Sequence, residues 1–163
     1  MLLASIPPQP SAWDVVEALV PAWADFAVML LSRSGCLHVA AFAHIDPLQM
    51  TTLHEFQQHH VPSIDDPVSP VARVFRTRVP ELLGPEELAV VEQHTTNDGT
   101  RAALRALGRR TSLLVPLIED PSGAGAARGV LVTAMSSSGR RVDEDDLRML
   151  AALAQGLVPR LRV

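Results

Sequence analysis

Lysine and tyrosine are both missing from these 163 residues, and cysteine occurs once, as Cys36. A lone cysteine excludes an intrachain disulfide and fits a reducing compartment, so the cytoplasm is the expected location. Every one of the 14 basic residues is an arginine, set against 18 acidic residues and a net charge of -4. Lysine-free, Ala- and Arg-rich composition reads as coding bias of a GC-rich bacterial genome rather than as function. An acidic balance without a basic stripe, and with few aromatics, excludes the usual nucleic-acid surface, which needs a phosphate track and rings for base stacking. No apolar run approaches the ~18 residues of a membrane span. The opening residues reach Pro7, Pro8 and Pro10 with no basic region before them. They read as neither a signal peptide nor a helix, and residues 1–10 are expected to form a flexible lead-in. Residues 11–163 then make one domain, long enough to bury a core unaided. Motifs of catalytic grade are also lacking. There is no G-x-S-x-G, P-loop, dinucleotide fingerprint or paired cysteine motif, so the chain is not expected to be an enzyme or to need a cofactor.

What is present is a regular alternation of helix and strand signals. Ser11 is a helix N-cap with Asp14 as its acidic partner, and Trp13, Val16, Leu19, Val20 and Trp23 recur at helical spacing up to Pro21. Both tryptophans are expected as core anchors. Phe26–Leu31 and Cys36–Ile45 read as a hairpin around Ser32–Gly35, apolar on both faces. Period-2 alternation places His38, Ala40, Phe42 and His44 on one face of the second strand, and Leu37, Val39, Ala41 and Ala43 on the other. Helical segments follow from Asp46-Pro47 and Ser69-Pro70, each a cap with proline at the first helical position. Glu81–Leu83 reads as a short edge strand, Pro85–Gln93 and Thr100–Leu107 as helices, the latter stopped by Gly108. A second hairpin spans Ser112–Asp120 and Gly129–Ser136, with Pro116 pointing to an edge or bulge. Its turn covers Pro121–Arg128. Asp143 caps a last amphipathic helix carrying Leu147, Leu150, Ala154 and Leu157, which Pro159 breaks.

Three groups of side chains could carry chemistry. His54, Glu55, His59 and His60 are the densest set of metal-ligand types, but only Glu55 and His59 share the i, i+4 face, and no third ligand follows. They are expected as a solvated helix end, with no metal site. His38 and His44 could hydrogen-bond a polar ligand or ligate haem, against the simpler reading of histidines satisfied by backbone. Arg109 and Arg110 follow a helix end, where a guanidinium balances the C-terminal dipole; recognition of a carboxylate or phosphate is the functional alternative.

The segments Val74–Glu81, Leu107–Leu117, Gly129–Leu131 and Arg141–Leu147, in this order of elements, resemble the GAF domain family over nearly the whole chain, from about Trp13 to Leu157. The resemblance is to GAF domains found beside PP2C-type phosphatase or histidine-kinase modules in GC-rich bacteria. It implies an α+β, PAS/profilin-like fold: a central antiparallel sheet, terminal helices on one face, and a helical insert enclosing a small-molecule pocket on the other. The cyclic-nucleotide NKFDE motif, the Cys-His context of bilin attachment and the several cysteines of a free methionine sulfoxide reductase are all lacking. The expected function is therefore a non-catalytic sensory domain that binds an unidentified small molecule and relays through its terminal helices. A homodimer through those helices and a phosphatase or kinase effector are the expected partners. The expected pocket wall is Ala27, Met29, His38, Ala40, Phe42, His44 and Phe75, around a cavity of a few hundred Å3. The alternative is a dimerisation or scaffold module without ligand, its pocket collapsed around Met29, Phe42 and Phe75.

Overall fold

The structure is a computed structural model and describes residues 6–120, 122 and 124–162. Residues 1–5 of the expected lead-in, and Pro121 and Gly123 of the second hairpin turn, lie outside the described residues. Six helices and five strands follow in the order α1 (Ala12–Leu19), β1 (Phe26–Arg33), β2 (Cys36–His44), α2 (Met50–His59), α3 (Pro70–Thr77), β3 (Glu81–Leu83), α4 (Pro85–His94), α5 (Asp98–Leu107), β4 (Thr111–Ile118), β5 (Ala127–Met135) and α6 (Glu144–Leu157). The strands form one antiparallel sheet in the order β2-β1-β5-β4-β3. This is the expected α+β architecture.

Local chemistry explains where the elements begin and turn. Ser11 and Asp14 cap α1 reciprocally: Ser11 Oγ accepts from the Asp14 amide at 3.2 Å, and Asp14 Oδ2 accepts from the Ser11 amide at 2.7 Å. Asp143 and Asp146 repeat the arrangement at α6. The first hairpin turns on only two residues, Ser34 at φ 52° and Gly35 at φ 76°, tighter than the four-residue turn expected. β3 pairs only with Ser112–Leu114, so Pro116 lies past its end on an open edge of β4, where its missing N–H costs no ladder bond.

Side-chain alternation splits the interior into two cores. Ala27 and Met29 of β1, Leu131 of β5 and Val115 of β4 pack under α1 and α6, against Val16, Leu19, Leu150 and Leu157. Phe26, Val28, Leu30, Leu114 and Val132 point the other way, beneath the 46–110 insert. The terminal helices thus cover one face and the insert the other. Trp23 packs partly buried against the first core. Trp13, expected as an anchor, is 41% exposed, because Ala12, Val15, Val16 and Leu19 form the buried stripe and leave it at the rim, in edge-to-face contact with Phe42 at 5.1 Å. Ile6 is buried in the first core, and the Arg160 and Arg162 guanidiniums donate to the carbonyls of Pro7, Pro8 and Gln9.

One irregularity changes the faces. The β1–β2 register passes from Met29 opposite Ala41 to Leu30 opposite Val39, leaving Ala40 as an extra residue in β2. Beyond this bulge the alternation inverts. Leu37, Val39 and Phe42 belong to the core under the insert, whereas Ala40, Ala41 and Ala43 pack toward the terminal helices. The expected single face of His38, Ala40, Phe42 and His44 is therefore corrected: it is divided between the two sides of the sheet. The Gln57 side-chain amide donates to the Val39 carbonyl at 3.0 Å next to the bulge. The Pro62–Ile64 loop covers the start of the same edge, through Leu37 N–H to Pro62 O and Ile64 N–H to Gly35 O.

Asp25 joins the start of β1 to the loop after β5. Its buried Oδ2 accepts from Ser136 N–H at 2.7 Å, Ser138 N–H at 3.0 Å and Ser138 Oγ at 2.9 Å. Burial pushes the carboxyl up, but these donors and the Arg140 charge outweigh it and hold the group below its ordinary value of 3.8. Replacing Asp25 with alanine strands the donors and is expected to cost about 1–3 kcal/mol. Because the folded-state value is depressed, this stabilisation is complete above the ordinary carboxylate value and is lost as pH falls below it. Thermal melts should show Asp25→Ala well below wild type at pH 7, and the gap closing below about pH 4. A gap independent of pH would sink the assignment.

Candidate functional site

Between the sheet and the insert lies a cavity of about 360 Å3. Its floor is the sheet face carrying Phe26, Val28, Leu30, Leu114 and Val132. Its roof is assembled from short pieces: the end of α2, the 61–69 loop, the start of α3, the end of α4, the Thr95–Asn97 linker and one face of α5. Short helices meeting at their ends cannot interdigitate along a continuous ridge, so the roof leaves a space that a single long helix would fill. The volume is of the expected order, at the small end of the ~300–1,000 Å3 typical of ligand sites.

The roof is braced largely by arginines. Arg73 binds Glu81 in a two-bond fork, at 2.7 and 2.6 Å, fixing α3 to β3. Arg76 donates to the Ile64 and Asp66 carbonyls, and Arg78 to those of Ala124 and Gly125. Arg101 holds the Thr95 carbonyl, and Arg105 pairs with Glu92 across α5 and α4. Gly99 lets α5 approach α2: a Cβ there would stand 2.7 Å from the His59 ring.

Few polar groups face the cavity from deep positions. His60 stacks on Phe56, ring centroids 4.4 Å apart, since residues i and i+4 share a helix face. Burial, and then the neighbouring Arg109 charge, lower its ionisation to about 4 against the opposing pull of Asp66. The imidazole is therefore neutral at pH 7. Arg109 is half-buried; desolvation lowers it to about 10 despite the attraction of Glu92, which leaves it a cation. Thr100 is 2% exposed, and its hydroxyl has no hydrogen-bond partner among the described residues. Asp66 is the one carboxylate of the lining, and its Oδ1 already accepts from the Val68 and Ser69 amides.

None of the seven residues expected to form the pocket wall lines this cavity. Ala27 and Met29 lie on the far face, fully buried under the terminal helices. His38, opposite Leu31, and Ala40 are on that same side of the bulge-divided strand. Phe42 faces the insert but is taken up by Trp13 and by His54, 6.5 Å away between ring centres. His44 stacks on Phe26 at 5.4 Å, and its Nδ1 accepts from the Asp46 amide at 2.8 Å, the backbone-satisfied arrangement. Phe75 packs against the insert-side core without reaching the cavity. The solvated helix end expected for His60 and the dipole role expected for Arg109 do not include their place in the cavity lining. A signal for His60 exists in its i+4 spacing from the apolar Phe56, which puts both on one helix face. Among the described residues no group of three or more His, Cys, Asp or Glu side chains is placed to hold a metal ion.

The arrangement of one antiparallel sheet, two terminal helices on one face and a helical roof on the other matches known structures over most of the chain. The fold is that of a GAF domain. The GAF domain of an Acinetobacter phosphoenolpyruvate-protein phosphotransferase superposes with a TM-score of 0.64 at 15% identity, covering 96% of this chain and 83% of that one. The corresponding domain from Coxiella burnetii gives 0.63 at 18% identity, over 90% and 77%. The second GAF domain of DevS from Mycobacterium smegmatis gives 0.56 at 20% identity, over 87% and 83%. No family model matches the sequence, and no curated protein matches it. The GAF architecture is thus carried here by a sequence whose residues at the cavity must be read on their own chemistry.

The His60 geometry predicts a pH effect. The unfolded chain takes up a proton at His60 near the ordinary 6.5, while the folded chain resists it down to about 4. Folding stability therefore decreases as pH falls through this interval, by up to about 1.4 kcal/mol per pH unit from this group. His60→Phe keeps the stack on Phe56 and removes the titrating group. Urea titrations between pH 7 and 4 should show a shallower loss in the variant; parallel curves would exclude His60 as the source.

Proposed function

We propose that this chain is a non-catalytic sensory domain that binds a small molecule in the cavity between sheet and insert. The cavity itself carries the reading. A domain used only as a scaffold gains nothing from a roof of six short pieces held open over an apolar floor, and a void of this size forfeits packing contacts. Among the described hydrogen bonds no serine or threonine hydroxyl of the cavity lining donates to a histidine or carboxylate, which supports a binding role over a catalytic one.

The route from site to output follows from strand alternation. Val28 and Leu30 form cavity floor, while their neighbours Ala27 and Met29 lie beneath α1 and α6. A ligand that favours one roof arrangement also favours one sheet curvature, and the terminal helices respond to that curvature as a shift in population. We place the receiving surface on the outer faces of α1 and α6, where Trp13 and Met149 are exposed among charged side chains. Homodimerisation through these helices, an effector of the phosphatase or kinase type and a cytoplasmic setting complete the proposal. The phosphotransferases that contain GAF domains of this fold support the effector part.

Native mass spectrometry of freshly purified protein tests both parts, since it reports retained small molecules and subunit number together. Val71 lines the cavity from the first turn of α3 and is only partly buried. Val71→Phe is expected to reduce ligand retention at least tenfold with the melting temperature within a few degrees of wild type. Retention unchanged by Val71→Phe would place the ligand elsewhere.

A further inference from the structure

We infer that the ligand is a small organic carboxylate with a compact apolar body, its carboxylate held by Arg109. This rests on the reading of the cavity as a ligand site and names the chemistry the site selects. The observation that carries it is a contrast among the arginines of the insert. Arg73, Arg76, Arg78, Arg101 and Arg105 each donate to a carboxylate or a carbonyl. Of the two left without a side-chain partner among the described residues, Arg110 is exposed to solvent and Arg109 is half-buried in the cavity lining. A half-buried guanidinium facing the cavity presents five donors and loses part of its hydration, which costs free energy unless an acceptor replaces the water. The acceptor carboxylates nearby are committed: Glu92 to Arg105, and Asp66 to the Val68 and Ser69 amides.

A second observation converges on the same space. The Thr100 hydroxyl is buried without a partner and belongs to the same lining. Beside Arg109 stands His60, neutral and able to donate one hydrogen bond. A planar carboxylate accepts two parallel bonds from a guanidinium and has lone pairs left for such donors. The floor, Val28, Leu30, Leu114 and Val132, with Leu104 of α5 above it, offers no hydrogen-bonding side chain and suits an aliphatic or aromatic body. A cation would be repelled by Arg109. A phosphate carries more charge than the one guanidinium of the lining balances, and it has no apolar body to set against the floor.

The test uses hexanoate, benzoate, hexanamide, hexylammonium, inorganic phosphate and toluene as probes, each titrated into the full chain by calorimetry and methyl NMR. Hexanoate or benzoate is expected to bind at least tenfold more tightly than hexanamide, with hexylammonium and phosphate weaker still. Arg109→Met should abolish that tenfold preference while leaving hexanamide and toluene binding within threefold. Thr100→Val should weaken the acids severalfold. Should Arg109→Met not fold, Arg109→Gln carries the same comparison. Acid and amide binding alike, or an acid preference that survives at Arg109→Met, overturns the carboxylate assignment. Toluene binding without any acid binding overturns it too but leaves the cavity as a ligand site. Failure of every probe, toluene included, overturns both.

Discussion

Strands β1, β5 and β4 are apolar on both faces, and a sheet of this kind has to be covered twice. Side chains alternate along each strand, so every second residue belongs to a different core. Leu30 and Met29 are adjacent in sequence and yet pack against different helices. The first cover consists of α1 and α6, whose apolar stripes close over Ala27, Met29, Leu131 and Val115. The second cover is a succession of short helices and loops from the middle of the chain. Regular helix packing seals one side, and piecewise packing leaves space on the other. The cavity is a consequence of how the second cover is built.

Charge in the insert follows the same logic. Short segments have little apolar area with which to hold one another, and here arginine supplies directional bonds in its place. The Arg73–Glu81 fork, the grip of Arg76 on two loop carbonyls and the Arg101 contact to Thr95 fix where α2 ends and α5 begins. With those guanidiniums spent on structure, Arg109 is the arginine of the cavity lining, and it has no side-chain partner among the described residues. Its proximity also helps to keep His60 neutral. The polar side chains of the cavity thus belong to the roof and its edges, over an apolar floor.

Much of the element order is legible without a structure, because caps and turns act over three or four residues. Ser11 with Asp14, Ser69-Pro70, Gly108 and Asp143 mark helix ends by chemistry internal to those segments. Pro116 signalled an edge, and β3 indeed stops short of it. The face of β2 was not legible in the same way. The bulge at Ala40 occurs within an Ala-rich run whose residues all tolerate either side, so nothing in the pattern marks the extra residue. One inserted position inverts half the strand, and a wall drawn by strict alternation falls on the wrong side for His38 and Ala40. Trp13 was misjudged for a different reason: size suggested burial, but the helix turns its Ala12, Val15, Val16 and Leu19 stripe inward and leaves the indole at the rim.

The sequence by itself determined the local punctuation, the two-sided hydrophobicity of the strands and hence a covered α+β sheet, since each depends on neighbours within one or two turns of chain. Only the tertiary structure decided which residues meet over the sheet. His60, Thr100 and Arg109 come from the end of one helix, the start of another and the linker beyond it. Their meeting depends on strand register and on how the insert folds back over the floor. Neither is encoded in the spacing of those three residues, because register is set by the packing of the whole sheet face.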